Sequence, residues 1–125
     1  MIWATLVPLA AGLVAQESEA AKRTAINRAY YGVFNEARRR LEAHGIRIDD
    51  HRAHGQVWLT FRDADGADSE ADVKWQQVGV LGRALQTLRN QADYVDDVPW
   101  LDREAINAVG IAQRILPLLD ELEFS

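Results

Sequence analysis

The chain reads as an all-α protein, an up-and-down bundle of about five helices. Three observations carry that reading. Apolar residues recur every three or four positions almost throughout. No stretch of useful length alternates apolar and polar residues, and turn-forming residues cut the pattern into helix-sized pieces. The 125 residues have the length of a single domain, 1–125, with no linker, repeat or low-complexity tract to divide them. A chain of this size buries roughly two-thirds of the surface its unfolded form exposes, so it needs no covalent staple. It contains no cysteine, which excludes disulfides and thiolate zinc sites.

The elements follow in order. Met1 to Ala15 is apolar but lacks a basic leading region, carries Leu13 where a cleavage site wants a small residue, and is too short to cross a bilayer. It is expected to be a first core helix, kinked or delayed by Pro8. Ser18 is placed to cap a second helix whose apolar face is Ala25, Ala29, Tyr30, Val33, Phe34, Ala37 and Leu41, with Gly45 as its stop after His44. That helix would be about 26 residues, on the order of 39 Å long. His51 to Arg62, with Val57, Trp58 and Phe61, fits a shorter third helix. Asp63 to Ser69 is small, acidic and turn-rich, and is expected to be a mobile loop. A fourth helix starts near Glu70 and buries Trp75, Val78, Leu81, Leu85, Leu88 and Ala92. Within it, Gly79 and Gly82 predict close approach of another helix. Pro99 closes the next connection, and Asp102 is expected to cap a fifth helix carrying Ala105, Val109, Ala112, Leu116 and Leu119, kinked near its end by Pro117.

A formal net charge of -5 argues against binding nucleic acid over the whole surface, though not against a local basic cleft. Arg38, Arg39 and Arg40 are consecutive and read most simply as a solvated helix face. Metal chemistry finds little support. His51 and His54 could share a helix face, but only Asp49 or Asp50 could join them, and two polar residues at a helix start is the simpler account. Asp63, Asp65 and Gly66 begin like a calcium loop, but the glycine comes too early and the closing glutamate is missing. No serine sits in a nucleophile turn, and no glycine-rich loop is built to cradle phosphate. Neither a metal nor a cofactor is expected.

The chemistry is concentrated in polar residues embedded in helices. Arg28 flanks the apolar face of the second helix, next to Tyr30 and Tyr31. Arg89 flanks that of the fourth, with Asp93 four residues on and Tyr94 after it. An arginine so placed suits an anionic oxygen such as a phosphate, because its fork gives two parallel hydrogen bonds. The competing account is an Arg89–Asp93 pair that fixes the fourth helix against the second. Four tryptophans, Trp3, Trp58, Trp75 and Trp100, are many for a small bundle, and some are expected at an interface.

Two segments together, Ala25-Ile26-Asn27-Arg28-Ala29-Tyr30-Tyr31-Gly32-Val33-Phe34 and Leu88-Arg89-Asn90-Gln91-Ala92-Asp93-Tyr94, resemble the signature of the HEPN helical bundles. His54 and Phe61 resemble that family's connecting helix, and the likeness runs from about Ala20 onward. The resemblance implies a bundle that is commonly a homodimer, with the polar motifs facing a cleft at the interface. Many such proteins are ribonuclease toxins, often encoded beside a small nucleotidyltransferase that acts as antitoxin. In the ribonuclease members an arginine and an adjacent polar residue are followed, roughly one to two helical turns later, by a histidine. Arg89 and Asn90 match the first two. The window for the third covers Tyr94, Val95 and Asp96, and none is histidine.

That departure matters because histidine, with a pKa near 6.5, can both take and give a proton at neutral pH, whereas tyrosine near 10 is a poor base. The expectation is therefore a cytoplasmic HEPN module of a toxin–antitoxin or defence system. It would bind RNA phosphate, a nucleotide or a protein partner through a polar cleft made by Arg28, Tyr31, Arg89 and Asn90. An active, metal-independent endoribonuclease is the first alternative, using Arg89, Asn90, Asp93 and Tyr94, with Tyr94 or a distant His54 standing in for the missing histidine. A purely structural dimeric bundle is the second.

Overall fold

The computed structural model describes residues 1–63 and 70–122. Among them are five α-helices and no strand: α1 (Leu6–Val14), α2 (Glu19–Ala43), α3 (Ala53–Arg62), α4 (Glu70–Tyr94) and α5 (Leu101–Glu121). Single 3-10 turns, Trp3–Thr5 and Asp50–Arg52, lead into α1 and α3. The chain is an all-α bundle, and no described helix is long and apolar enough to cross a membrane. Past Asp63, the acidic loop expected before α4 lies outside the described residues.

The long second helix is the axis of the bundle and packs against all four others. Its start is fixed as expected: the Ser18 hydroxyl accepts from the Ala21 amide at 3.1 Å. Its stop is fixed by Gly45, whose φ of +82° turns the chain left-handed. The Gly45 amide then bonds the Glu42 carbonyl at 3.1 Å and the Ile46 amide bonds the Leu41 carbonyl at 3.0 Å, the paired closure of a Schellman end. Every residue of the expected apolar face is buried.

Pro8 does not delay α1. The helix begins two residues earlier, and the proline falls within the first turn, where an amide hydrogen would have no intrahelical partner. Asp102 is not the cap of α5. Trp100 takes that place in the left-handed region at φ 62° and ψ 35°, while Asp102 sits inside the first turn and faces the Lys22 ammonium at 3.6 Å. The helix continues through Pro117 to Glu121.

Close approach of α3 to α4 is what the two mid-helix glycines serve. A Cβ on Gly79 would stand 2.5 Å from the Arg62 amide nitrogen, and one on Gly82 would stand 2.1 Å from the Trp58 ring. The missing side chains are the space that the Trp58 indole and the α3 backbone occupy.

Three cations of α2 close the ends of its neighbours. Helices α1, α4 and α5 have no basic residue in their own last turns. The Lys22 ammonium donates to the carbonyls of Val14 at 3.2 Å and Gln16 at 2.8 Å, at the end of α1. Arg23 donates to the carbonyls of Ala92 at 2.8 Å, Val95 at 2.7 Å and Asp96 at 2.7 Å, at the end of α4. Arg40 donates to the Leu119 carbonyl at 2.7 Å and pairs with Asp120, at the end of α5. Each places a positive charge where a helix dipole is negative and carbonyls lack partners. The Arg38–Arg40 run is therefore engaged, not merely solvated: Arg38 pairs with Glu42 and Asp50, and Glu36 accepts from both Arg39 and Arg40.

Three stability measurements check this account. Gly82→Ala should lower the urea-unfolding free energy by about 1–3 kcal/mol through overpacking against Trp58. Gly110→Ala, where an added Cβ meets nothing within 4 Å, should raise it by about 0.5–1 kcal/mol. Arg23→Met, which keeps the apolar stem and removes the donors to three carbonyls, should cost about 1.5–3 kcal/mol in the same assay.

Candidate functional site

The motif residues meet where the last turns of α4 lie against the first half of α2. Arg89 is at the centre. Its guanidinium carbon stands 5.3 Å from the Tyr30 ring centre, 5.5 Å from that of Tyr31 and 6.0 Å from that of Tyr94. Helical periodicity explains the grouping: Tyr30 and Tyr31 are adjacent on the α2 face that meets α4, and Tyr94 lies on the turn after Arg89. Aromatic faces attract a desolvated cation by up to about 2 kcal/mol each.

Arg89 was expected to be open to a cleft, and here the structure differs. The residue is only 7% exposed and lies beneath the tyrosines. Nor is its charge consumed by carboxylates. Among the described residues its one ion pair is to the Asp93 carboxylate at 3.5 Å, the outer limit of a hydrogen bond, and its Nε has no partner. A buried N–H left without an acceptor costs about 1–3 kcal/mol. The site thus holds a buried cation that is only weakly satisfied.

Around it the other expected residues divide. Asp93 is anchored on its far side by Asn27, whose amide donates to both carboxylate oxygens at 3.4 and 3.2 Å. Asn27 in turn accepts from Arg28 at 2.6 Å. With Arg23 and Thr24, these three residues line a shallow depression of about 270 Å³ beside the buried guanidinium. Tyr94 is 76% exposed and covers Arg89 from the solvent side. Tyr31 is half-buried, packed edge-on against Tyr30 at 5.4 Å. Asn90 is exposed and points into none of these contacts. The structure therefore brings Arg89, Asp93, Tyr94 and Tyr31 together, sets Arg28 next to them through Asn27, and leaves Asn90 apart.

His54 belongs to this neighbourhood although it is far away in sequence. It opens α3, stacks on Phe34 at 4.2 Å and meets Tyr31 edge-on at 5.9 Å. Its Nδ1 is 2.7 Å from the Tyr30 hydroxyl, which also accepts from the Trp58 indole N–H at 3.1 Å. Burial, and then the charges of Arg89 and Arg38, hold the imidazole below its ordinary pKa. The same burial holds the Tyr30 phenol well above its ordinary range, so it remains protonated at all working pH values. His51 is exposed on the preceding turn, and no group of three or more metal-ligating residues occurs among the described residues.

No family model, curated protein or solved structure matches the chain. The site is thus described by its own geometry, and two of its members were hidden from sequence reasoning. Asn27 and Tyr30 stand within the segment that resembles the HEPN signature, outside the expected set of site residues. The visible signal was their spacing: Asn27, Tyr30 and Tyr31 at i, i+3 and i+4 share one face of α2.

The pH dependence of stability reports on this cluster. The folded state resists protonation of His54, while the unfolded chain takes up that proton near pH 6.5. Stability should therefore be full above about pH 7 and fall as pH drops through 6.5 toward the depressed folded pKa. Glu36, whose pKa is lowered chiefly by the Arg39 hydrogen bonds, contributes stability that is present above 4.5 and lost as pH falls through its folded pKa. Thermal melts from about pH 8 to about pH 2 should show both phases, and His54→Gln should flatten the first alone.

Proposed function

We propose that this chain is a HEPN-type module that binds the phosphate of a nucleotide or an RNA strand at Arg89, within a toxin–antitoxin or defence system, and does not cleave RNA. One observation carries the reading. A guanidinium has been taken out of water with, among the described residues, a single long contact to a carboxylate and an Nε that nothing accepts from. A phosphate oxygen would supply the missing acceptor in the bidentate geometry that arginine favours. Arg28 lines the neighbouring depression, and a second positive charge there supports the same reading.

Cleavage is disfavoured on chemical grounds. The motif lacks its histidine, the Tyr30 phenol is held protonated, and the nearest imidazole has one nitrogen committed to that phenol. A homodimer and a nucleotidyltransferase-type antitoxin as partner follow from the HEPN resemblance. The exposed Tyr94, Val95 and Trp100, clustered in sequence at the end of α4 and the start of α5, supply apolar surface for such contacts.

The burial of Arg89 favours a second reading, in which the residue is a packing element that locks α4 to α2. Arg89→Met separates the two, because it keeps the apolar stem and removes the charge. The ligand-site reading expects unfolding free energy to stay within about 1 kcal/mol of wild type, since an ill-satisfied buried polar group is replaced by an apolar one. It also expects AMP and short RNA to lose at least about tenfold in affinity. A stability loss of about 3 kcal/mol or more would establish the lock instead. RNA cleavage by wild type in EDTA, absent from the variant, would overturn both and establish a nuclease.

A further inference from the structure

We propose that His54 is the second hydrogen-bond donor of the Arg89 anion site, held as the neutral Nε2–H tautomer by the Tyr30 hydroxyl. This rests on the phosphate-binding reading above and adds a residue from a different helix to it.

The argument is an accounting of protons on a buried hydroxyl. The Trp58 indole nitrogen can only donate, and it does so to the Tyr30 oxygen at 3.1 Å. Tyr30 is fully buried, so its own proton cannot go to bulk water. The acceptor in reach is His54 Nδ1 at 2.7 Å. Leaving that proton without an acceptor would cost the desolvation of a buried hydroxyl. Nδ1 therefore accepts, and the neutral ring must carry its hydrogen on Nε2. An imidazolium is excluded by the same logic, since it would need the phenol oxygen as acceptor and would strand the phenol's proton.

Among the described residues, Nε2 has no hydrogen-bond partner. The ring stacks on Phe34 at 4.2 Å and meets Tyr31 edge-on at 5.9 Å, and the residue borders an open depression lined by the cationic and polar groups of His51, Arg52, Gln56 and Thr60 and by the carboxylates of Asp49 and Asp63. Arg89 lies against the same two tyrosines, 5.3 and 5.5 Å from their ring centres. An oriented neutral donor and a buried cation thus flank one aromatic pair. That combination suits a phosphate group, which needs donors and positive charge but no exchangeable proton. Tyr30 acts through His54 as a positioning residue.

Two measurements test the proposal. In wild type, histidine-selective 15N NMR should assign His54 to the Nε2–H tautomer, and Tyr30→Phe should convert it to a mixture. Titration with inorganic phosphate, AMP and short RNA should shift the His54 Nε2 resonance, the three probes separating a free phosphate from one on a nucleotide or a strand. His54→Asn puts an acceptor where Nδ1 was and removes the Nε2 donor, so it should weaken AMP about tenfold. His54→Gln restores an N–H near the Nε2 position and should stay within about threefold. An Nδ1–H tautomer in wild type overturns the proposal. So does an unweakened His54→Asn when Arg89→Met has lost binding, which would leave the phosphate reading intact. If wild type binds none of the three probes, the phosphate reading fails, and the donor role of His54 fails with it.

Discussion

The bundle depends on a division of labour between helix ends. Helices α1, α4 and α5 each finish with carbonyls that their own sequences cannot neutralise, and α2 provides a cation for each. Lys22 and Arg23 serve the ends of α1 and α4 near the start of α2, and Arg40 serves α5 near its finish. These are charge-assisted bonds, about twice as strong as neutral ones. They also fix axial position, which apolar packing alone leaves loose. Burial of Ala25, Ala29, Val33 and Ala37 says which face of α2 is inward. The cations say how far along it each neighbour must stand.

The same constraint positions the candidate site. Arg23 holds the end of α4 by three carbonyls, so the turn carrying Arg89, Asp93 and Tyr94 is set against Asn27, Tyr30 and Tyr31. Within that frame the guanidinium is surrounded by three aromatic rings and one distant carboxylate. This keeps a cation buried without cancelling its charge. An Arg with two close carboxylates would be electrostatically silent to a ligand. One ringed by phenols keeps most of its field, which adds to the burial that chiefly holds the His54 pKa down.

Much of the fold could be read from the residues alone, because it is set by local rules. Ser18 and Gly45 bound α2 as their side-chain and backbone preferences dictate, and the α2 and α4 stripes mark the faces that pack. Gly79 and Gly82 announced a close helix contact, though not that Trp58 would fill it. The readings that differed involve competition between local and distant partners. Asp102 looks like a cap on propensity, but Pro99 and the left-handed Trp100 start the helix first, and Lys22 occupies the carboxylate's surroundings. The arginine run from 38 to 40 looked solvated because its partners Asp50 and Asp120 are remote in sequence. At the site, the grouping of Arg89, Asp93 and Tyr94 was legible at helical spacing. The depth of Arg89 was not, since it depends on how α2 and α4 cross. The link from Tyr30 to His54 depends on where α3 lands, which no local pattern encodes.

The glycine pair on α4 has a mechanical consequence. Because Gly82 admits the Trp58 ring to the surface of α4, α3 is keyed to α4 like a tooth in a notch. The other end of that indole is tethered to the Tyr30 hydroxyl, and through it to His54. A slide of α3 along α4 would drag the indole out of register, and with it the hydrogen bonds that join α3 to Tyr30.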